Sequence, residues 1–257
     1  METLVRSGTL DIAARDFGGD GPPALLLHGG GGDMSAWETF APQLNVRAVA
    51  VDLRGHGKSG DGPWEWEAVL DDLEAVSDHF GLSTPAVVGH SLGGMIAGMW
   101  ARRHPDCPAA VSLDGHRSAA TDPANYAGMP AERVRRDLAT LTAIFSAQEE
   151  TITRPNREIT GALRNSAEFA DCLPVFAEVT SPFLIVLATR NLPVPPELVA
   201  LMDAHRAGLR RDLAALAECR PNIRVLEFDA DHGMLFGAHA ELAVVVDEFL
   251  TARRQPA

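Results

Sequence analysis

Three short stretches of this sequence carry residue types that can do chemistry together. Gly89-His90-Ser91-Leu92-Gly93 sets a serine between small residues. An apolar run precedes it and a helical pattern follows. That context predicts a sharp strand-to-helix turn with the Ser91 hydroxyl above a sheet. The helix N-terminus behind Ser91 favours developing negative charge. Asp229-Ala230-Asp231-His232-Gly233 follows the last apolar run and offers His232 as a general base for Ser91. His28-Gly29-Gly30-Gly31-Gly32 supplies exposed backbone N–H groups that can approach a bound oxygen closely. An amide of this loop, paired with that of Leu92, would hold the oxyanion of a tetrahedral intermediate. A phosphate loop would need a Gly-Lys-Ser/Thr ending or a G-x-G-x-x-G followed by an acid, and neither is present.

Of the nine histidines, His232 is best placed for catalysis. His28 and His90 flank glycines and read as structural, and His56 lies in a turn. His79, His104, His205 and His239 fall in helical patterns and read as solvated or partly buried. No H-E-x-x-H or similar spacing occurs, so no metal site is expected.

Strands alternating with helices must position these groups, which points to a mostly parallel sheet covered on both faces. Residues 9–16 read as an edge strand, and 24–27, 47–51, 85–88, 109–113, 183–188 and 224–228 as inner strands. Residues 35–44, 64–80, 92–103, 196–218 and 239–252 read as helices. The rhythm breaks over residues 116–179, which are helical with no convincing strand. The expected organisation is therefore a core of residues 1–115 and 180–257 with a helical insertion, 116–179, over the sheet. The helix 196–218 is longer than a connection needs, and it suits either packing on the insertion or a dimer surface.

Composition narrows the function classes. The 257 residues suffice to bury a core without disulfides or metal. The net charge of −13 counts against nucleic acid and anionic membranes as partners. Lys58 is the only lysine. No apolar run approaches the ~20 residues of a membrane span, and the N-terminal stretch does not read as a signal peptide. Cys107, Cys172 and Cys219 are odd in number and widely spaced, as buried inert thiols of a reduced, cytoplasmic protein would be.

Taken in order, Leu25-Leu26-Leu27-His28-Gly29-Gly30-Gly31-Gly32, Asp52-Leu53-Arg54-Gly55-His56-Gly57-Lys58-Ser59, Gly89-His90-Ser91-Leu92-Gly93-Gly94 and Ala230-Asp231-His232-Gly233 resemble the α/β-hydrolase superfamily in its cap-bearing form. The resemblance covers nearly the whole chain. It implies Ser91 as nucleophile, His232 as base, the amides of Gly30 and Leu92 as oxyanion hole, and residues 116–179 as a cap shaping the substrate pocket. Most relatives carry the acid of the triad after the strand that 183–188 resembles, where this chain has Asn191. An amide bears no charge to stabilise an imidazolium. Another group of relatives places the acid one strand earlier, and Asp114, twenty-three positions past Ser91, matches it. Asp114 is nominated as the residue that orients His232. The competing reading is a turn cap before Gly115. Asp203, Asp229 and Asp231 are weaker candidates.

The expected activity is hydrolysis of a small to medium, largely apolar carboxylic ester or lactone, through an acyl-enzyme and without a cofactor. Trp37, Tyr126, Met129, Phe145 and Phe169 are nominated to line the pocket, which Leu141, Ile144 and Phe176 are also placed to approach. Tyr126 could donate to a substrate oxygen, but reads rather as packing or a wet surface ring. Arg133, Arg135 and Arg136 cluster at helical spacing and read as a solvated face rather than an anion site. The same Ser–His pair also serves C–C bond hydrolases and lyases or cyclases, and related folds act as ligand receptors. The partner is a small molecule, and the chain is a monomer or homodimer.

Overall fold

The computed structural model describes residues 2–149 and 153–252. Among these, eight strands form one sheet: β1 (Glu2–Ser7), β2 (Leu10–Gly18), β3 (Pro23–Leu27), β4 (Arg47–Val51), β5 (Ala86–His90), β6 (Ala110–Leu113), β7 (Phe183–Ala188) and β8 (Ile223–Phe228). The order is β1-β2-β4-β3-β5-β6-β7-β8. The pairs β1–β2 and β2–β4 are antiparallel, and all later pairs are parallel.

The inner parallel strands β3–β7 are mostly apolar, with Arg47, His90 and Ser112 as exceptions, because both faces are covered. Leu25, Leu27, Val49, Val51, Val87, Phe183 and Ile185 point into one core. Their neighbours Ala24, Leu26, Ala48, Ala50, Val88, Leu184 and Val186 point into the other. The first core is covered by α1 (Trp66–Phe80) and α2 (Leu92–Arg103). The second is covered from a loop after β3 through Trp37 and Phe40, and from the C-terminal helix through Leu242 and Val246.

Between β6 and β7 the chain is helical: α3 (Ala131–Glu149), α4 (Arg157–Arg164), α5 (Ala167–Ala170) and α6 (Leu173–Phe176). After β7 comes α7 (Pro196–Cys219), and after β8 come α8 (Met234–Gly237) and α9 (His239–Thr251). The length of α7 has a structural reason. Its first half carries Leu198, Leu201 and Ala204, which form a third apolar cluster with Tyr126, Val134 and Leu141 of the inserted segment. Its second half carries Leu209 and Leu213 into the first sheet core. Gly208 lies where the two layers meet, and a Cβ there would sit 1.8 Å from the Asn125 carbonyl oxygen.

Four local expectations differ from the structure. Residues 9–16 do not form the edge, because β1 pairs outside β2 through a tight turn at Gly8, φ 54°. Only Val5 of β1 is buried, so the strand has little apolar signature. Residues 35–44 form two short 3₁₀ turns, Met34–Trp37 and Ala41–Gln43, instead of one helix. Pro42 has no N–H to continue a helical ladder. The turn α8 directly after His232 was not expected. His205 is fully buried at 5% exposure rather than solvated or partly buried.

Candidate active site

The site sits at the C-terminal ends of β5, β6 and β8, where loops of an open α/β sheet gather ligand-facing groups. Ser91 lies between β5 and α2 with φ 54° and ψ −118°, a conformation that side-chain-bearing residues seldom adopt. The backbones of strand, turn and helix meet there without room for side chains. A Cβ on Gly89 would lie 1.9 Å from the Gly93 oxygen, and one on Gly93 would lie 2.1 Å from the Leu27 oxygen. The motif glycines are thus a packing requirement that fixes the Ser91 hydroxyl above the sheet.

His232 follows β8, and its Nε2 is 3.0 Å from Ser91 Oγ. Its Nδ1 is 2.8 Å from Asp114 Oδ2. With Nδ1–H donating to the carboxylate, the neutral ring leaves Nε2 free to accept the serine proton. Asp231 Oδ1 accepts from the Gly233 amide at 2.8 Å and shapes the loop. His90 lies beside His232 with ring centroids 5.0 Å apart, and its Nε2 donates to the His232 carbonyl at 2.7 Å. Burial, with the neighbouring His232 charge, pulls His90 down to about 4, so it is a neutral prop.

Asp114 ends β6 in a left-handed conformation, φ 50°, and its side chain is 5% exposed. Oδ1 accepts from the Ala188 amide at 2.9 Å and from His116 Nε2 at 3.2 Å. The His116 Nδ1 accepts from the Arg117 amide at 3.0 Å, which places the neutral ring's proton on Nε2, toward Asp114. Burial raises the Asp114 carboxyl. Hydrogen bonds from His116 and His232 outweigh it and hold the group well below the usual carboxylate range.

The oxyanion loop follows β3. His28 braces it, donating from Nδ1 to the Gly29 carbonyl at 2.8 Å and accepting the Leu53 amide on Nε2 at 3.0 Å. Burial pulls His28 down to about 4. Gly30 stands against Leu92, with 3.8 Å between its Cβ position and Leu92 Cδ2. Among the described residues, neither the Gly30 nor the Leu92 amide has a protein acceptor.

Two connected chambers open at Ser91. The larger, about 400 Å³, is lined by Gly30, Leu92, Phe145, Leu163 and Phe169, and is mainly apolar. The smaller, about 260 Å³, is lined by His232, His116, Ser118, His205 and Arg206. Ser91, Leu92, Ser118, Phe145 and Phe169 belong to both. Of the nominated pocket residues, Phe145 and Phe169 are therefore at the cavity. The other three lie elsewhere. Trp37 is fully buried beneath the sheet, edge-on to Phe40 at 5.5 Å. Tyr126 is buried among Val134 and Leu201, and its hydroxyl donates to the Ala119 carbonyl. Met129 packs on the same cluster, away from Ser91. An apolar residue type on an inserted helix does not say which of its faces meets the cavity.

The remaining acids stand apart from His232. Asn191 Nδ2 donates to Asp203 Oδ1 at 2.7 Å, and its Oδ1 accepts from Arg206 Nε at 2.9 Å. Asp229 is exposed and pairs with Arg190. The sequence reading missed His116, His205 and Arg206. His116, two residues past Asp114, had a local signal, but Arg206 sits in a helix of three arginines with nothing to single it out. Arg133 and Arg136 pair with Asp137 on the surface of α3. No helix among the described residues is long and apolar enough to cross a membrane.

A sequence model of the alpha/beta hydrolase fold matches residues 22–150. The pimeloyl-[acyl-carrier protein] methyl ester esterase of Chromobacterium violaceum is 44% identical over 98 residues, 37% of each chain. Lipase LipV of Mycobacterium tuberculosis is 36% identical over 118 residues, 42% of this chain and 45% of the lipase. The chain thus spans less than half the length of these relatives. A thermophilic esterase from Thermogutta terrifontis superposes with a TM-score of 0.68 over 98% of both chains at 21% identity. That likeness shows the shared fold.

Proposed function

The chain belongs to the alpha/beta hydrolase fold family, and from that premise and the geometry at Ser91 we propose that it is a serine carboxylic ester hydrolase. The observation that carries the reading is the continuous hydrogen-bonded line Ser91–His232–Asp114, with contacts of 3.0 and 2.8 Å. Nucleophile, base and orienting acid stand in the order that acyl transfer requires. The names of similar esterases and lipases support the same reaction class.

In the proposed mechanism His232 takes the Ser91 proton as Oγ attacks the ester carbonyl. The amides of Gly30 and Leu92 receive the oxyanion, which gives those unpartnered donors a role. The imidazolium, held by Asp114, protonates the leaving alcohol. Water enters, gives its proton to His232 and attacks the acyl-enzyme. The acid leaves, and Ser91 regains its proton.

The mainly apolar larger chamber supports a small to medium ester or lactone with an apolar acyl part. Residues 116–179 act as the cap over a core of 1–115 and 180–257, since the cavity lies between Ser91 and side chains of that segment. The free thiols of Cys107 and Cys172, which are buried, and of Cys219, which is exposed at the end of α7 rather than buried as expected, suit a reducing cytoplasm.

The test is release of nitrophenol from a short-chain nitrophenyl ester by the wild type and by Ser91→Ala, with a serine-reactive phosphonate as label. Turnover and labelling that both depend on Ser91 support the proposal. Turnover that survives Ser91→Ala refutes it.

A further inference from the structure

The smaller chamber holds a buried cation whose partners leave one nitrogen unused. Arg206 is 8% exposed. Its Nε donates to Asn191, and its Nη1 donates to the Ala188 carbonyl and lies 3.8 Å from Asp114 Oδ1. Among the described residues Nη2 has no protein acceptor, and it is not one of the fully occluded unpaired atoms. Burial pulls Arg206 below its ordinary value, so its charge is incompletely compensated where it sits. The nearby carboxylate is already engaged by Ala188, His116 and His232. The second cation of the wall, Arg117, is spent on Asp171 and Asp212 at 2.8 and 2.7 Å, neither of which lines the chamber.

The two chambers also differ in which catalytic group they contain. Gly30 lines only the larger, and His232 only the smaller. His232 must reach the leaving oxygen to protonate it. The leaving alcohol therefore belongs to the smaller chamber and the acyl chain to the larger one.

Resting on the ester-hydrolase reading, we propose that the smaller chamber binds a carboxylate on the leaving alcohol through Arg206. The substrate class is an ester of an apolar acyl group with a small hydroxy acid. Ser91 Oγ bonds to the acyl carbon and the bond to the hydroxy-acid oxygen breaks. That oxygen takes the proton held by His232, and water completes the turnover as above.

The test compares two esters of one acyl group on the full-length protein: butyryloxyacetate and its N,N-dimethylamide. Both release butyrate, which is measured. The readout is the ratio of kcat/KM for the acid to that for the amide in the wild type and in Arg206→Gln. A charge-assisted contact of this kind gives a factor of about ten or more. The expected wild-type ratio exceeds ten, and in Arg206→Gln it falls toward one. Any general loss from disturbing Asp114 or Asn191 cancels in the ratio. If Arg206→Gln does not fold, Arg206→Lys replaces it and keeps part of the preference. Butyrate release with a wild-type ratio of one or below, or a preference unchanged in Arg206→Gln, overturns this inference alone. No release from either ester and no phosphonate label on Ser91 removes the hydrolase reading with it.

Discussion

Asp114 Oδ2 and His232 Nδ1 meet at 2.8 Å although 118 positions separate them in the chain. The contact spans the ends of β6 and β8 and bypasses the loop after β7. Asn191, in that loop, bonds to Asp203 and Arg206 instead. Asp114→Asn keeps an acceptor for the Ala188 amide but removes the charge that holds the imidazolium. The expected loss of kcat on a nitrophenyl ester is about 10³–10⁴-fold, with the circular dichroism spectrum unchanged. Asn191→Ala leaves kcat within a few-fold in the same assay.

His116 tunes the same carboxylate from its other oxygen. Replacing His116 by Phe removes one donor to Asp114 Oδ1. The carboxylate becomes more basic and holds the His232 proton more tightly. The acid limb of the kcat/KM–pH profile then moves to higher pH, by up to about one unit for a contact worth ~1.4 kcal/mol. A stopped pH–rate series on wild type and His116→Phe reads the shift, and a limb that moves to lower pH contradicts this role.

Acid sensitivity of the fold follows from its neutral buried histidines. Burial pulls His28, His56 and His90 each down to about 4 from 6.5. Between these values the unfolded chain binds protons that the folded chain does not. Stability is therefore full above pH ~6.5 and declines as the pH falls toward 4. Thermal melts across pH 8 to 4 should show Tm falling through that window. His90→Asn, which removes one such proton, should flatten the decline.

The motif glycines make opposite predictions. Gly93→Ala drives a Cβ to 2.1 Å from the Leu27 carbonyl oxygen and should cost about 3 kcal/mol or prevent folding. Gly30→Ala meets only Leu92 Cδ2 at 3.8 Å and should fold with a Tm within a few degrees of the wild type. Differential scanning calorimetry on the pair separates them.

A buried ion pair anchors the loop after β4. Arg54 Nε and Nη2 donate to Asp72 at 2.7 and 3.0 Å, with side-chain exposures of 10% and 3%. Arg54→Met leaves the Asp72 carboxylate without its cation and should lose about 3–5 kcal/mol in urea unfolding. The double variant Arg54→Met, Asp72→Leu should lose less than Arg54→Met alone.

Much of this arrangement could be read from the chain because strands buried on both faces are continuous apolar runs. The helix Leu92–Arg103 and the strand Phe183–Ala188 have the boundaries that the pattern predicted. Ser91 and His232 stood out because glycines mark the turns that carry them. β1 escaped notice because an edge strand buries little, and its one buried residue, Val5, leaves no period. The cation of the smaller chamber was invisible for a different reason. Arg206 reaches the site from a helix remote in sequence, and only tertiary contact distinguishes it from the other arginines of α7.

α7 belongs to two layers at once, its first turns to the inserted helices and its last turns to the sheet. The inserted segment is therefore not a removable module ending at Val179. A lid transplanted from a relative would meet a foreign surface at Leu198, Leu201 and Ala204 unless the graft carried that half of α7 as well. Arg206 lies two residues past Ala204 on the same helix, so a change of the inserted segment that shifted the first half of α7 would shift Arg206 with it. Lid shape and alcohol-side selectivity should thus evolve together in this lineage, as a single unit of inheritance.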